Sequence, residues 1–380
     1  MKIEQRKWDT YHGWSNPTES IKEAPQLVIV FGNRFFLSDA GRYKEIEQFY
    51  PNAHIVCGSS AGEILGNVVK ENSLVCTAVY FEKTTIRVAS ASIQSKDQSY
   101  TVGKKLSSEL QDEDLANIFV ISDGQIVNGS ELVKGLNSAN HSKVAITGGL
   151  AGDGGLFEKT LVGYNEPPKE GEVVAVGFYG KNLKVGHGTF GGWDTFGPIR
   201  TVTKSRENIL CELDNQSALQ LYKKYLGPLS SELPQSALMF PLAIIQENGM
   251  NLVRTILSVN EEEQSMTFAG DIPLNSKVKL MKANFDKLID ASATASGESL
   301  SKMNSIKPQL AMLISCVGRK LVLSHRVEEE VEEAVKLFEP TTFVTGFYSY
   351  GEISPLSETA SCELHNQTMT ITTFSEDLHL

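Results

Sequence analysis

"HIVCGSSAGEIL" (54–65) sets the reading of the whole chain. Its first residues are a short apolar, β-branched run, which predicts a buried strand. Gly58-Ser59-Ser60-Ala61-Gly62 then forces a turn, and "EILGNVV" after it reads as the start of a helix. Three further runs have the same form: "QLVIVFG" (26–32), "NIFVISDG" (117–124) and "KVAITGG" (143–149). Runs of this kind are strands buried on both faces. Helical patterns lie between some of them, one after Gly103 and one after Gly129. Strand, turn, helix, strand is the rhythm of α/β layers.

Other strands come in close succession. "SLVCTAVYF" and "TTIRVASASI" are separated by a few residues, and "EVVAVGFYG" and "LKVGHGTF" by Lys181-Asn182; both pairs predict hairpins and therefore mixed sheets. A helix is expected at "QSALQLYKKYLG", with Ala218, Leu221, Tyr222 and Tyr225 on one face and Gly227 as its stop. "GPLSSELPQS" (227–236) reads as a linker. Beyond it, "LVRTILSV", "SMTFAG", "SKVKLM" and "PQLAMLISCVG" read as strands, and "ANFDKLIDASATASGESL" as a helix. "RVEEEVEEAVKLF" is an amphipathic helix with Val327, Val331, Ala334, Val335 and Phe338 inward and its glutamates on a solvated face. "TFVTGFYSYGEI" and "ELHNQTMTITTF" complete the strands, and no repeat of fixed period is visible. The fold class is α/β: two domains with mixed parallel and antiparallel sheets flanked by helices, as 380 residues lead one to expect.

Composition narrows the function. Lys plus Arg is 35 against 46 Asp plus Glu, a formal charge of -11 that argues against nucleic acid or an anionic membrane as partner. No apolar run reaches the ~18 residues of a membrane span, and the first residues carry no apolar signal segment. The five cysteines are dispersed, without a C-x-x-C, which disfavours disulfides and structural zinc. A cytosolic location is expected.

Three constellations can carry chemistry. Gly58-x-Ser60-x-Gly62 has the spacing of a nucleophile elbow, with Asp123, Asp153, His187, His325 and His365 as candidate partners. The plainer alternative is a glycine turn whose backbone N–H groups face a ligand. "TGGLAGDGG" (147–155) permits close backbone approach, with Asp153 as its polar group, or simply a tight crossing of elements. In "SCVGRK", "GFYSYGEI" and "LHNQTMT", polar groups adjoin apolar strands: Arg319 for a carboxylate, Glu352 for an amino group or for Arg319 itself, Tyr348 and Tyr350 as walls. No multi-histidine metal signature occurs, although a single histidine can ligate haem.

In order, "CGSSAGEI", "TGGLAGDG", "FGPIRTVTKSRENILCELDNQSALQLYKKYLG", "LISCVGRK", "GFYSYGEISP" and "LHNQTMT" resemble the FIST family of bacterial sensory modules. The resemblance implies a FIST N-type domain at 25–226, a linker at 227–236 and a FIST C-type domain at 237–375. It implies a cytosolic, stand-alone signal-transduction protein that binds a small, amino-acid-like ligand rather than an enzyme. Some similar proteins bind haem, sense nitric oxide and act on a histidine kinase, and His187 is the axial ligand expected in that alternative. The family's turn has the form Gly-Cys-Ser-Thr-Ala-Gly-Glu. Ser59, Ala61, Gly62 and Glu63 match it, while Ser60 stands where that pattern has threonine, which favours a shaped turn over a reactive hydroxyl.

The main expectation is thus a ligand cleft formed by Gly58, Ser59, Ser60, Ala61, Gly62, Glu63, Gly149, Asp153, Arg319, Tyr348, Glu352, His365 and Asn366. Its partners would be the small ligand and a histidine kinase or other signalling output protein, with self-association left open. A serine hydrolase on Ser60 and a scaffold without ligand are the alternatives.

Overall fold

The computed structural model describes residues 1–141, 143–246, 250–356 and 361–378. Three six-stranded sheets share one strand plan. In each, two parallel strands lie at the centre, joined through helix: Leu27–Gly32 with His54–Ser59, Leu115–Ser122 with Ala145–Leu150, and Leu310–Cys316 with Phe343–Ser349. An antiparallel strand that follows later in the chain covers the first member of each pair: Ser73–Tyr80, Glu172–Tyr179 and Met369–Glu376. A strand preceding the pair in sequence lies outside that one: Lys2–Asp9, Thr85–Ser92 and Leu183–Phe190.

The remaining edge of each sheet comes from another repeat. Glu63–Leu65, after the first pair, joins the third sheet; Val162–Tyr164, after the second, joins the first; Gly351–Pro355, after the third, joins the second. The exchange is cyclic, so the molecule is a threefold repetition of one topology. Strands from both sides of residues 227–236 therefore lie in the same sheets.

Shared packing explains why so many strands are apolar throughout. Their inner faces meet in one core, to which Ile29 and Phe31, Phe119 and Val176, and Met312 and Phe347 contribute from the three sheets. Phe31 stacks on Phe347 at 4.5 Å between ring centroids. Outer faces are covered by helices: Ala40–Phe49 on the first sheet, Ser99–Leu110 and Gly129–Ala139 on the second, and Phe285–Ser301 and Val327–Val335 on the third. With both faces dry, alternation disappears from the sequence.

Into the third repeat is inserted an eight-stranded sheet, from Asp194–Arg206 to Lys277–Lys282, with its own core around helix Ala218–Leu226. Gly227 ends that helix with φ 56°. The expected linker falls inside this insertion, where Gly227–Glu232 and Gln235–Met239 form 3₁₀ turns.

Four local expectations are corrected. "EILGNVV" forms a hairpin, Glu63–Leu65 with Val68–Lys70, because its apolar residues complete the edge of the third sheet. Ser73–Tyr80 and Thr85–Ser92 do not pair with each other, nor do Glu172–Tyr179 and Leu183–Phe190; each short connection arches from one sheet to the next. Glu330 is not on a solvated face: it lies on the same helical stripe as Val327, Val331 and Ala334, and is fully buried. Its partner is Arg319, so the internal salt bridge of Arg319 is with Glu330 and not with Glu352.

Candidate functional site

Each parallel pair ends in a turn of similar sequence: Ser60-Ala61-Gly62-Glu63, Leu150-Ala151-Gly152-Asp153 and Ser349-Tyr350-Gly351-Glu352. The three turns are hydrogen-bonded to one another. Ala61 N–H donates to Tyr348 O and Tyr348 N–H to Gly62 O, both at 2.8 Å. Gly152 N–H donates to Ser59 O at 3.0 Å, and Tyr350 N–H to Leu150 O at 3.1 Å. The acidic residue closing each turn is buried.

A cleft of about 350 Å³ opens over the first two turns. Its floor includes Ser60, Gly62, Glu63 and Asp153, and Lys320 enters from helix Val317–Leu323 of the third repeat. The Glu63 carboxylate accepts from Ser60 Oγ at 2.6 Å and Ser73 Oγ at 2.5 Å. Burial pushes its pKa up to about 7, against the opposing pull of these hydroxyls and of Lys320. Lys320 Nζ donates to Ala61 O at 2.7 Å and pairs with the exposed Glu71 at 2.6 Å. Gly62 has φ 136°, and a Cβ there would lie 2.8 Å from Lys320 Nζ, so only glycine leaves the lysine its place.

Asp153 closes the other side of the floor. It accepts from the N–H groups of Phe157, Glu158 and Lys159 at 2.9, 3.0 and 2.9 Å, and from the Tyr350 hydroxyl. Arg34 pairs with it at 3.1 Å. Asp153 thus folds the 153–159 loop over the cleft, its charge already answered. Asn33 and Asn72 form one wall, with Asn33 Nδ2 donating to Asn72 Oδ1 at 3.2 Å.

Of the residues singled out from the sequence, Ser60, Ala61, Gly62, Glu63 and Asp153 line this cleft. Gly58 lies inside the core, where a Cβ would meet Ile121 Cδ1 at 1.9 Å. The Ser59 hydroxyl accepts from Leu161 N–H at 2.8 Å. Gly149 sits within its sheet opposite Glu352. Tyr348 lies beneath Gly62 with its hydroxyl on Glu330 at 2.7 Å. The Arg319 guanidinium is committed to Glu330 and to the carbonyls of Gly191 and Leu288. Glu352 accepts from Ser349 Oγ at 2.7 Å and Thr368 Oγ1 at 2.8 Å. His365 Nε2 lies 2.9 Å from Ser354 O, and Asn366 Nδ2 donates to His365 O at 2.9 Å. These C-terminal groups are buried and bind one another or the backbone.

Lys320, Glu71, Asn33 and Asn72 complete the cleft unforeseen. Helical spacing carries a signal for Lys320: Val317, Lys320 and Leu321 line the cleft, whereas Arg319, Val322 and Leu323 form the stripe turned to the core.

The structure does not favour a nucleophilic Ser60. Its hydroxyl is engaged by Glu63, and the turn runs from strand to strand rather than from strand to helix. His187 does not line this cleft and is buried. Its Nδ1 is 3.1 Å from Lys302 Nζ, and burial, then that lysine, lowers its pKa to about 4. The flanking glycines are already filled by helix Phe285–Ser301: a Cβ at Gly186 would be 2.0 Å from Ser299 O, and one at Gly188 2.0 Å from Ala295 O. They serve helix-on-sheet packing, on the face of the strand opposite to the His187 side chain. Among the described residues there is no cluster of three metal-ligating side chains, and no helix is long and apolar enough to cross a membrane.

No curated protein matches the chain. Among solved structures it is similar to a cyanuic acid hydrolase from A. caulinodans, at 9% identity over 78% of this chain and 68% of that one, with a TM-score of 0.24. That likeness is too slight to bear on fold or activity. The FIST N domain matches residues 26–216 and the FIST C domain residues 218–355. The chain belongs to the FIST family, whose domains are small-ligand sensors in signal transduction.

Proposed function

We propose that this protein senses an amino-acid-like ligand held in the cleft over the first two glycine turns. The observation that carries the reading is the placing of Glu63 and Lys320, opposite in charge, in the lining of one opening at the meeting point of three repeats. A ligand ammonium would be received by Glu63, assisted by Glu71, and a ligand carboxylate by Lys320 in place of Glu71. Arg319 and Glu352 act as internal braces in this reading. The cleft volume lies within the range of small-molecule sites.

Because the turns are tied together by backbone hydrogen bonds, a ligand at one edge of the cluster can shift how the repeats meet. A signalling output protein, such as a histidine kinase, would read that change.

The test is thermal unfolding and calorimetry against the common amino acids. A ligand at a hundred times its Kd is expected to stabilise the fold by about 2.7 kcal/mol. Lys320→Met is expected to abolish that shift, and its unliganded midpoint, measured alongside, reports separately what the Lys320 contacts with Ala61 O and Glu71 contribute to stability. No shift with any amino acid at millimolar concentration would sink the reading.

A further inference from the structure

The floor of the cleft is polar, but its rim is not. Phe35, Leu156 and Leu321 line it from three separate elements and are 60%, 50% and 44% exposed. They come from the helix Arg34–Leu37 of the first repeat, the glycine loop of the second and the helix Val317–Leu323 of the third. A single exposed leucine is ordinary, but three large apolar side chains converging on one polar opening are a surface awaiting a ligand.

The rim is held in place from below. Arg34, ion-paired with Asp153 and Glu158, lies 4.6 Å from the centre of the Phe35 ring. Leu156 is bracketed by Gly155 and by Phe157, whose ring stacks on Tyr350 at 4.6 Å. Leu321 follows Lys320 on the same helix, so the apolar and cationic parts of the cleft share one rigid support.

We infer that the ligand is amphipathic: an amino acid with a large apolar side chain, its charged head on Glu63 and Lys320 and its side chain among Phe35, Leu156 and Leu321. The inference rests on the amino-acid reading above and adds the specificity. A small or acidic amino acid would leave the rim wet, and an acidic one would place a second carboxylate among Glu63, Glu71 and Asp153. Discrimination by apolar contact is worth about tenfold or more for each group lost.

Calorimetry with L-leucine, L-methionine and L-phenylalanine, against glycine, L-serine and L-aspartate, separates the possibilities. The apolar three are expected to bind at least about tenfold more tightly. Single Phe35→Ser, Leu156→Ser and Leu321→Ser variants are each expected to weaken them about tenfold or more, and the triple variant to erase the preference. The substituted side chains are exposed, and an unchanged unliganded midpoint verifies the fold of each variant. If glycine or serine binds as tightly as leucine, and Lys320→Met still abolishes binding, the apolar specificity is wrong while the amino-acid reading stands. Unchanged leucine affinity in the triple variant also overturns it and frees the rim for a protein partner. If no amino acid binds, both fall together.

Discussion

Glu330→Ala is expected to cost about 3–5 kcal/mol of folding stability, the range for leaving a buried charge without its partner. Arg319 is fully buried, and its Nε and Nη2 donate to Glu330 Oε2 at 2.9 and 2.7 Å. The other carboxylate oxygen accepts from Tyr348 OH at 2.7 Å and Ser315 Oγ at 3.1 Å. Arg319 also donates to Leu288 O at 2.6 Å and Gly191 O at 2.7 Å, so one ion pair joins two strands, three helices and a loop of the third repeat. Removing the carboxylate strands a guanidinium and two hydroxyls in the dry interior. Denaturant unfolding measures the cost. The double variant Arg319→Met/Glu330→Leu is expected to recover most of it, since a desolvated pair contributes little beyond what apolar packing would. A loss below about 1 kcal/mol in Glu330→Ala would contradict this account, because a removed partner costs several times that in a closed site.

The same pair shows how far the sequence could be read. Its apolar runs identified the central strands, because a strand dry on both faces is β-branched throughout. That property also removed the alternation that assigns partners, so Glu172–Tyr179 and Leu183–Phe190 looked like a hairpin although they belong to different sheets. The threefold plan is invisible for a related reason. Strand exchange between repeats is a matter of topology, and the closing glycine and acid of each turn are the main sequence trace of it, at Gly62-Glu63, Gly152-Asp153 and Gly351-Glu352. Glycine density did locate the two turns flooring the cleft. Arg319 drew attention as the residue for a carboxylate, yet burial gave that task to the protein's own Glu330 and left Lys320, one position along, facing the cleft. Asn33, Glu71 and Asn72 carry no local signal, since only the return of the chain brings them to Glu63.

The turns also make an experiment on pH possible. Glu63 and Glu352 occupy matching places: each accepts from the serine three residues earlier and from a hydroxyl near the start of the following strand. Burial raises both from an ordinary 4.5 to about 7. Between about pH 4.5 and pH 7 the native state therefore keeps two protons that the unfolded chain has released. Their stabilising effect is complete below about pH 4.5 and is lost as pH rises to about 7, at about 3 kcal/mol for each carboxyl. His187 and His365 oppose this: burial lowers them from 6.5 to about 4, so their contribution is present above pH 6.5 and lost as pH falls. The two effects overlap and flatten the parent's pH profile. Glu63→Gln or Glu352→Gln removes one arm, so each variant is expected to gain on the parent between pH 5 and pH 8 by up to about 3 kcal/mol. An advantage that does not grow over that interval would rule out the buried-proton account. Ligand binding then distinguishes the matched residues. Glu63 faces the cleft and Glu352 does not, so Glu63→Gln should lose amino-acid binding while Glu352→Gln keeps it; the opposite result would move the site away from the first turn.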